Sequence, residues 1–167
     1  VSGMTSFFLG ARYICPSATM KVTYTNSWFD IALERESALK LINSGCVLIS
    51  QHADSEGAPK ACEEKGIPNI AYNISTTSIA PKTAIISSKI DWTPYFKLIV
   101  NANLKGEKIP VDYCGTISTG SVALTELNTA AAAAAKIATR ISRKLLSPVF
   151  GLSSPASSSS RADSSSP

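Results

Sequence analysis

Apolar positions along the chain fall into two patterns, helical spacing and short unbroken runs, which alternate in the order helix, strand, helix, strand. Ser2 to Cys15 reads as a helix with Phe7, Phe8 and Ala11 on one side, stopped by Pro16. Lys21 to Tyr24 is a short run that fits a strand, and Thr25 to Phe29 forms the loop after it. Asp30 stands where an N-cap belongs. From Ile31 to Asn43 the apolar residues Ile31, Ala38, Leu41 and Ile42 recur at helical spacing, Glu36 and Lys40 form an i,i+4 pair, and Gly45 marks the C-terminal cap. Cys46 to Ile49 is apolar without alternation, as in a strand covered on both faces.

The second half repeats the pattern. Pro59 suits the first turn of a helix running to Lys65, Gly66 ends it, and Ile67 to Tyr72 reads as another buried strand. Ala84 to Ser88 predicts a further strand, Pro94 to Leu104 a helix closed by Gly106, and Val111 to Ile117 a last strand. Strands separated by helices pair in parallel through right-handed crossovers, so the expected class is α/β with a three-layer parallel sheet. Beyond Asn128, six alanines (Ala130 to Ala135) lead into Ile137, Ile141, Leu145 and Leu146 at helical spacing, which predicts an amphipathic helix ending before Pro148. From Ser153 to Pro167, nine of fifteen residues are serine and no large apolar side chain occurs, the composition of a disordered tail.

Charge narrows the partners. The net +4 of the 167 residues lies wholly in residues 130–167; residues 1–129 hold 11 basic and 11 acidic side chains. A neutral body does not attract a phosphate backbone, so no nucleic-acid partner is expected. No apolar run approaches the ~18 residues of a membrane span, and no targeting signal is read at Val1. Cys15, Cys46, Cys62 and Cys114 are separated by 31, 16 and 52 residues, which gives no zinc-binding spacing and points to buried free thiols.

Ligands of open parallel sheets bind outside the carboxyl ends of the strands. Three loops meet that description: Tyr24 to Asp30 (with Asn26, Trp28 and Phe29), Gln51 to Ser55 (with His52 and Asp54), and Tyr72 to Ser75 (with Asn73). Aromatic faces beside amide and carboxylate groups suit a flat heterocycle, stacked on its face and read at its edge. Each residue also has a structural reading: Trp28 as core, Asp54 as a helix cap, Asn73 as a turn former. Ser50, His52 and Asp54 do not make a hydrolytic relay, because alternate residues of an extended segment need not face one another and no G-x-S-x-G elbow exists. The G-x-x-x-x-G of Gly115 and Gly120 lacks the lysine of a phosphate loop. His52 is the single histidine, and neither a metal nor a cofactor is expected. The residues predict a binding protein and no enzyme.

The segment Asn26-Ser-Trp-Phe-Asp30, followed by Glu34-Arg-Glu36 and Ala38-Leu-Lys-Leu-Ile-Asn-Ser-Gly45, resembles the basic membrane protein family of substrate-binding lipoproteins. These serve ABC transporters and include purine nucleoside receptors. The resemblance continues through Ile49-Ser-Gln-His-Ala-Asp-Ser55, Glu63-Glu-Lys-Gly66, Ala80-Pro-Lys82 and Trp92-Thr-Pro-Tyr95, and covers roughly Gly10 to Leu127. It implies a type I periplasmic-binding-protein fold with the ligand between two lobes, an extracytoplasmic location, and ABC permease subunits as partners. Any membrane contact would run through a lipid anchor absent from this chain. On this reading residues 1–110 are the second lobe, residues 111–150 return toward the first, and residues 151–167 are the tail.

The resemblance also implies site positions. Trp28 and Phe29 fall where the family places aromatic ligand contacts, and Asp54 and Ser55 fall on the second-lobe cleft loop. Asn73 takes the place of the aspartate that binds ribose hydroxyls in nucleoside receptors, and Ile90 the place of their ligand-binding lysine. The expected ligand is a purine nucleoside or nucleobase. A regulatory, ligand-sensing module of the same fold is the alternative.

Overall fold

Four helices form where apolar spacing and capping residues put them. The computed structural model describes residues 2–136, so the expected helix beyond that point and the serine-rich tail lie outside the described residues. Helix α1 spans Ser2–Ile14 and α2 spans Ile31–Asn43. The Asp30 carboxylate accepts the Leu33 N–H at 2.9 Å, as an N-cap does. At the other end the N–H groups of Gly45 and Cys46 bond to the carbonyls of Ile42 and Leu41, a Schellman closure with Gly45 at φ +91°. Helix α3 (Gly57–Lys65) begins two residues ahead of Pro59, and Gly66 and Gly106 cap α3 and α4 (Thr93–Lys105) in left-handed geometry. A further helical stretch covers 129–136.

The strands are β1 (Ile49–Ser50), β2 (Asn69–Tyr72), β3 (Ala84–Ile90) and β4 (Val122–Leu124), in sheet order β1-β2-β3-β4. Pairing is parallel between β1 and β2 and between β2 and β3, and antiparallel between β3 and β4. The architecture is therefore mixed α/β with a mostly parallel sheet; the all-parallel expectation fails at β4.

Three strand expectations need correction. Val111 to Ile117 is not a strand. Here hydroxyl groups satisfy the backbone locally: the Thr116 N–H donates to Thr119 Oγ1, Thr119 Oγ1 donates to the Thr116 carbonyl, and the Ser121 and Val122 N–H groups return to that same carbonyl. Such side-chain bonds compete with a ladder, so pairing starts later, at Val122. Lys21 to Tyr24 is unpaired too, because two-residue β1 offers too few main-chain groups to hold another strand; Lys21 Nζ instead donates to the Ser44 carbonyl at 2.6 Å. Of the run Cys46 to Ile49 only Ile49 is fully buried, Cys46 packs at the core's margin, and Val47 is 72% exposed, since the run leads into β1 at the sheet edge.

The core lies between α2, α3 and the edge of the sheet and comprises Ala38, Ile49, Ala58, Ala61 and Cys62, flanked by Leu39, Leu41, Ile42, Cys46 and Ile67. Small residues let the two helices approach closely. In place of the expected Glu36 and Lys40 pair, Arg35 of α2 meets Glu64 of α3 at 2.6 Å. Buried Asn69 donates to the Ile49 carbonyl at 3.3 Å, joining β2 to β1 from inside the core.

The four cysteines form no disulfide. Burial pushes the Cys62 thiol up to about 12, against the smaller opposing effect of a hydrogen bond with Asn69. Alkylation of the native protein at neutral pH is therefore expected to label exposed Cys114 and spare Cys62, which peptide mapping would show. Between its ordinary value of 9.0 and about 12, folded Cys62 keeps a proton that the unfolded chain releases. Stability thus falls as pH rises through that window, and Cys62→Ala removes this part of the slope.

Candidate functional site

Parallel pairing of β1, β2 and β3 brings their carboxyl ends to one edge of the sheet, and the loops that leave them meet there. The loop before α2 joins them through main chain: the Asp54 N–H donates to the Trp28 carbonyl at 2.9 Å. The loop after β1 meets the loop after β2 where Asn73 Nδ2 donates to Asp54 Oδ1 at 3.0 Å. The Asn73 N–H in turn reaches the Ser88 carbonyl of β3 at 2.7 Å. Trp28, Asp54 and Asn73 are therefore one connected group spanning three loops.

Backbone geometry turns these groups outward. Asn26 (φ +53°) and Asn73 (φ +69°) are the two non-glycine residues with left-handed backbone among the described residues, a conformation asparagine tolerates better than most. Both stand at bends that present a neighbouring functional group. Trp28 is 75% and Phe29 62% exposed, so neither ring is core. The second carboxylate oxygen of Asp54 and the amide oxygen of Asn73 make no hydrogen bond among the described residues. The two exposed rings and the Asp54 and Asn73 acceptors belong to connected loops, and such acceptors can read N–H groups on a ligand edge.

Ser55 and Ile90 have surroundings of their own. Ser55 is buried; its Oγ accepts the Gly57 N–H at 3.2 Å, holding the start of α3, and its carbonyl accepts from Gln51 Nε2 at 3.0 Å. Ile90 ends β3 opposite Val122 of β4 and is 42% exposed, an apolar surface where a lysine would present charge. His52 stacks on Tyr72 with ring centroids 4.2 Å apart.

In the sequence Glu34 stands only as part of the Glu34-Arg-Glu36 resemblance, with no site role read for it. Its carboxylate is buried, and Oε1 accepts the N–H groups of both Asp30 (3.1 Å) and Ser55 (3.3 Å). The spacing from the Asp30 cap was the available signal, since a carboxylate one turn into a helix can reach back to the cap's N–H. Ser55, its second partner, lies 21 residues away and is invisible to local spacing.

Two shallow recesses have other linings. One of about 240 Å³ lies among Ser75, Thr77, Pro81, Glu126, Leu127 and Asn128, the other, of about 320 Å³, along α4 at Phe96 and Val100. Among the described residues no three His, Cys, Asp or Glu side chains come together as a metal site requires, and no helix is long and apolar enough to cross a membrane.

The chain is similar to several known proteins. A purine-binding protein of Brucella abortus is 33% identical over 113 residues, 65% of this chain and 32% of that protein. A putative ABC transporter glucose-binding protein of Haloferax volcanii is 32% identical over 126 residues, 75% of this chain and 32% of that protein. The solved structure of an ABC transporter solute-binding protein from Conexibacter woesei superposes with a TM-score of 0.60 at 20% identity, covering 87% of this chain and 50% of that one, which shows a shared fold. The chain thus spans about a third of the length of the curated relatives it matches. The family described as ABC transporter substrate-binding protein, PnrA-like, matches residues 2–149, and its members, like the solved neighbour, are solute-binding proteins and not enzymes. The chain belongs to this Bmp family.

Proposed function

We propose that this chain forms one wall of the ligand cleft in the extracytoplasmic solute-binding component of an ABC importer, and that its ligand is a purine nucleobase or nucleoside. The observation that carries the reading is the connected group Trp28, Asp54 and Asn73 at the carboxyl edge of the sheet, with the Trp28 and Phe29 rings exposed beside it. A purine offers a flat face for stacking and N–H donors at its edge for free acceptors. The binding assigned by name to the Brucella relative supports the same class. Permease subunits are the partners this role requires, and residues 111–150 would lead the chain back toward the opposing lobe. A lipid anchor would supply the membrane attachment.

Ile90 shapes the expectation within purines. A lysine there could donate to ribose hydroxyls, whereas a half-exposed isoleucine offers only apolar contact. Calorimetry of the full-length protein with adenine, adenosine and glucose tests the assignment. Both purines are expected to bind, with adenosine gaining little over adenine. The Haloferax relative is named for glucose, so a hexose that binds tightly while neither purine gives heat would replace this reading with a sugar receptor.

A further inference from the structure

Resting on the ligand face proposed above, we infer that Glu34 is a positioning residue that sets the distance between the aromatic loop and the Asp54 loop. It lies in the first turn of α2, is 3% exposed, and makes no ion pair among the described residues. One of its oxygens, Oε1, accepts both the Asp30 N–H and the Ser55 N–H. Asp30 directly follows Trp28 and Phe29, and Ser55 directly follows Asp54. With a single shared acceptor atom, the two amides cannot separate by more than the two bonds laid end to end, which ties the backbone after the aromatic pair to the backbone after Asp54.

The cost of this arrangement argues for its use. Oε2 has no hydrogen-bond partner among the described residues, and burying a carboxylate without a cation is unfavourable, eased here by the two N–H groups on Oε1 and by the positive end of the α2 dipole. The helix does not need it for capping, because Asp30 already accepts the Leu33 N–H. What Glu34 adds is the bond across to Ser55, a second tie beside the Asp54 N–H on the Trp28 carbonyl, and the two together fix the gap between loops that carry the proposed ligand-facing groups. Preorganising a site in this way spares the ordering that binding would otherwise require.

The test uses the 167-residue chain with Trp92→Phe, which leaves Trp28 as its one tryptophan. Time-resolved fluorescence anisotropy then reports the nanosecond motion of the aromatic loop without any ligand. Glu34→Ala is expected to lower the anisotropy of Trp28. Glu34→Gln, whose amide oxygen can accept both N–H groups, is expected to restore it. Glu34→Asp, one methylene shorter, should lower it too and serves if the alanine variant does not fold. Unchanged anisotropy in a folded Glu34→Ala or Glu34→Asp protein, or a glutamine variant as loose as the alanine one, overturns the inference. Adenine affinity of the full-length protein should weaken about tenfold in Glu34→Asp through lost preorganisation and recover in Glu34→Gln. If the unsubstituted protein fails to bind adenine, the ligand assignment falls, while the anisotropy series still decides the role of Glu34.

Discussion

Gly57→Ala is expected to destabilise the fold by ~1–3 kcal/mol, the range of an overpacked core, although alanine is the better helix former. Gly57 opens α3 where its backbone packs against the first turns of α2. A Cβ placed there would sit 2.3 Å from the Ile31 carbonyl oxygen and 3.0 Å from the Arg35 nitrogen. Both are backbone atoms, so no side chain can swing aside and one of the helices has to move. Intrinsic propensity alone predicts the opposite sign, a gain of up to ~1 kcal/mol for replacing glycine with alanine. Denaturant melting of the single variant therefore separates the two effects. A midpoint equal to or above that of the parent would mean that α2 and α3 are not held at this distance. Because Asp30, Ser55 and Glu34 lie at the same junction, the displaced helices should also loosen the two loops.

With the proposed purine as ligand, Trp28→Ala is expected to weaken binding by ~1–3 kcal/mol, the contribution of one stacked ring, or ~5- to 150-fold in affinity. Stability should change by less than ~0.5 kcal/mol, because the ring is 75% exposed and its removal leaves no cavity. The asymmetry is the informative part, since a core tryptophan would lose ~3–5 kcal/mol of stability on truncation. Affinity by calorimetry and midpoint by denaturation, measured on the same full-length variant, separate the alternatives. Unchanged affinity would remove Trp28 from the ligand face. The Trp28 carbonyl would continue to accept from the Asp54 N–H in the variant, so the loop itself should persist.

Helices were legible because their signals are local. The bounds of α2 follow from apolar spacing, the Asp30 cap and Gly45, all within one stretch of chain. The same holds for Gly66 and Gly106, whose left-handed caps stand where the apolar period stops. Strand membership was harder to read. Val111 to Ile117 has the β-branched residues of a strand, yet the hydroxyls of Thr116 and Thr119 close a turn beside it and leave Val122 to Leu124 to pair with β3. Residue type reports willingness to extend; whether a partner is within reach depends on the rest of the sheet.

Of the candidate site, the sequence by itself identified the family, the three loops and the chemistry they carry: the Trp28 and Phe29 rings, the Asp54 carboxylate and the Asn73 amide. These are properties of residue type and order, and order along the chain fixes which groups lie in the loops after β1 and β2 and before α2. Only the tertiary structure decided which of them face outward and which hold others in place. Ser55 turned inward to the start of α3, the Trp28 ring turned out to be exposed, and Glu34 emerged as the shared acceptor of two loops. The physical reason is that hydrogen bonds between residues about 20 positions apart, such as Ser55 to Glu34 and Asn73 to Asp54, depend on where α2, α3 and the strands come to rest, and no local spacing encodes that distance.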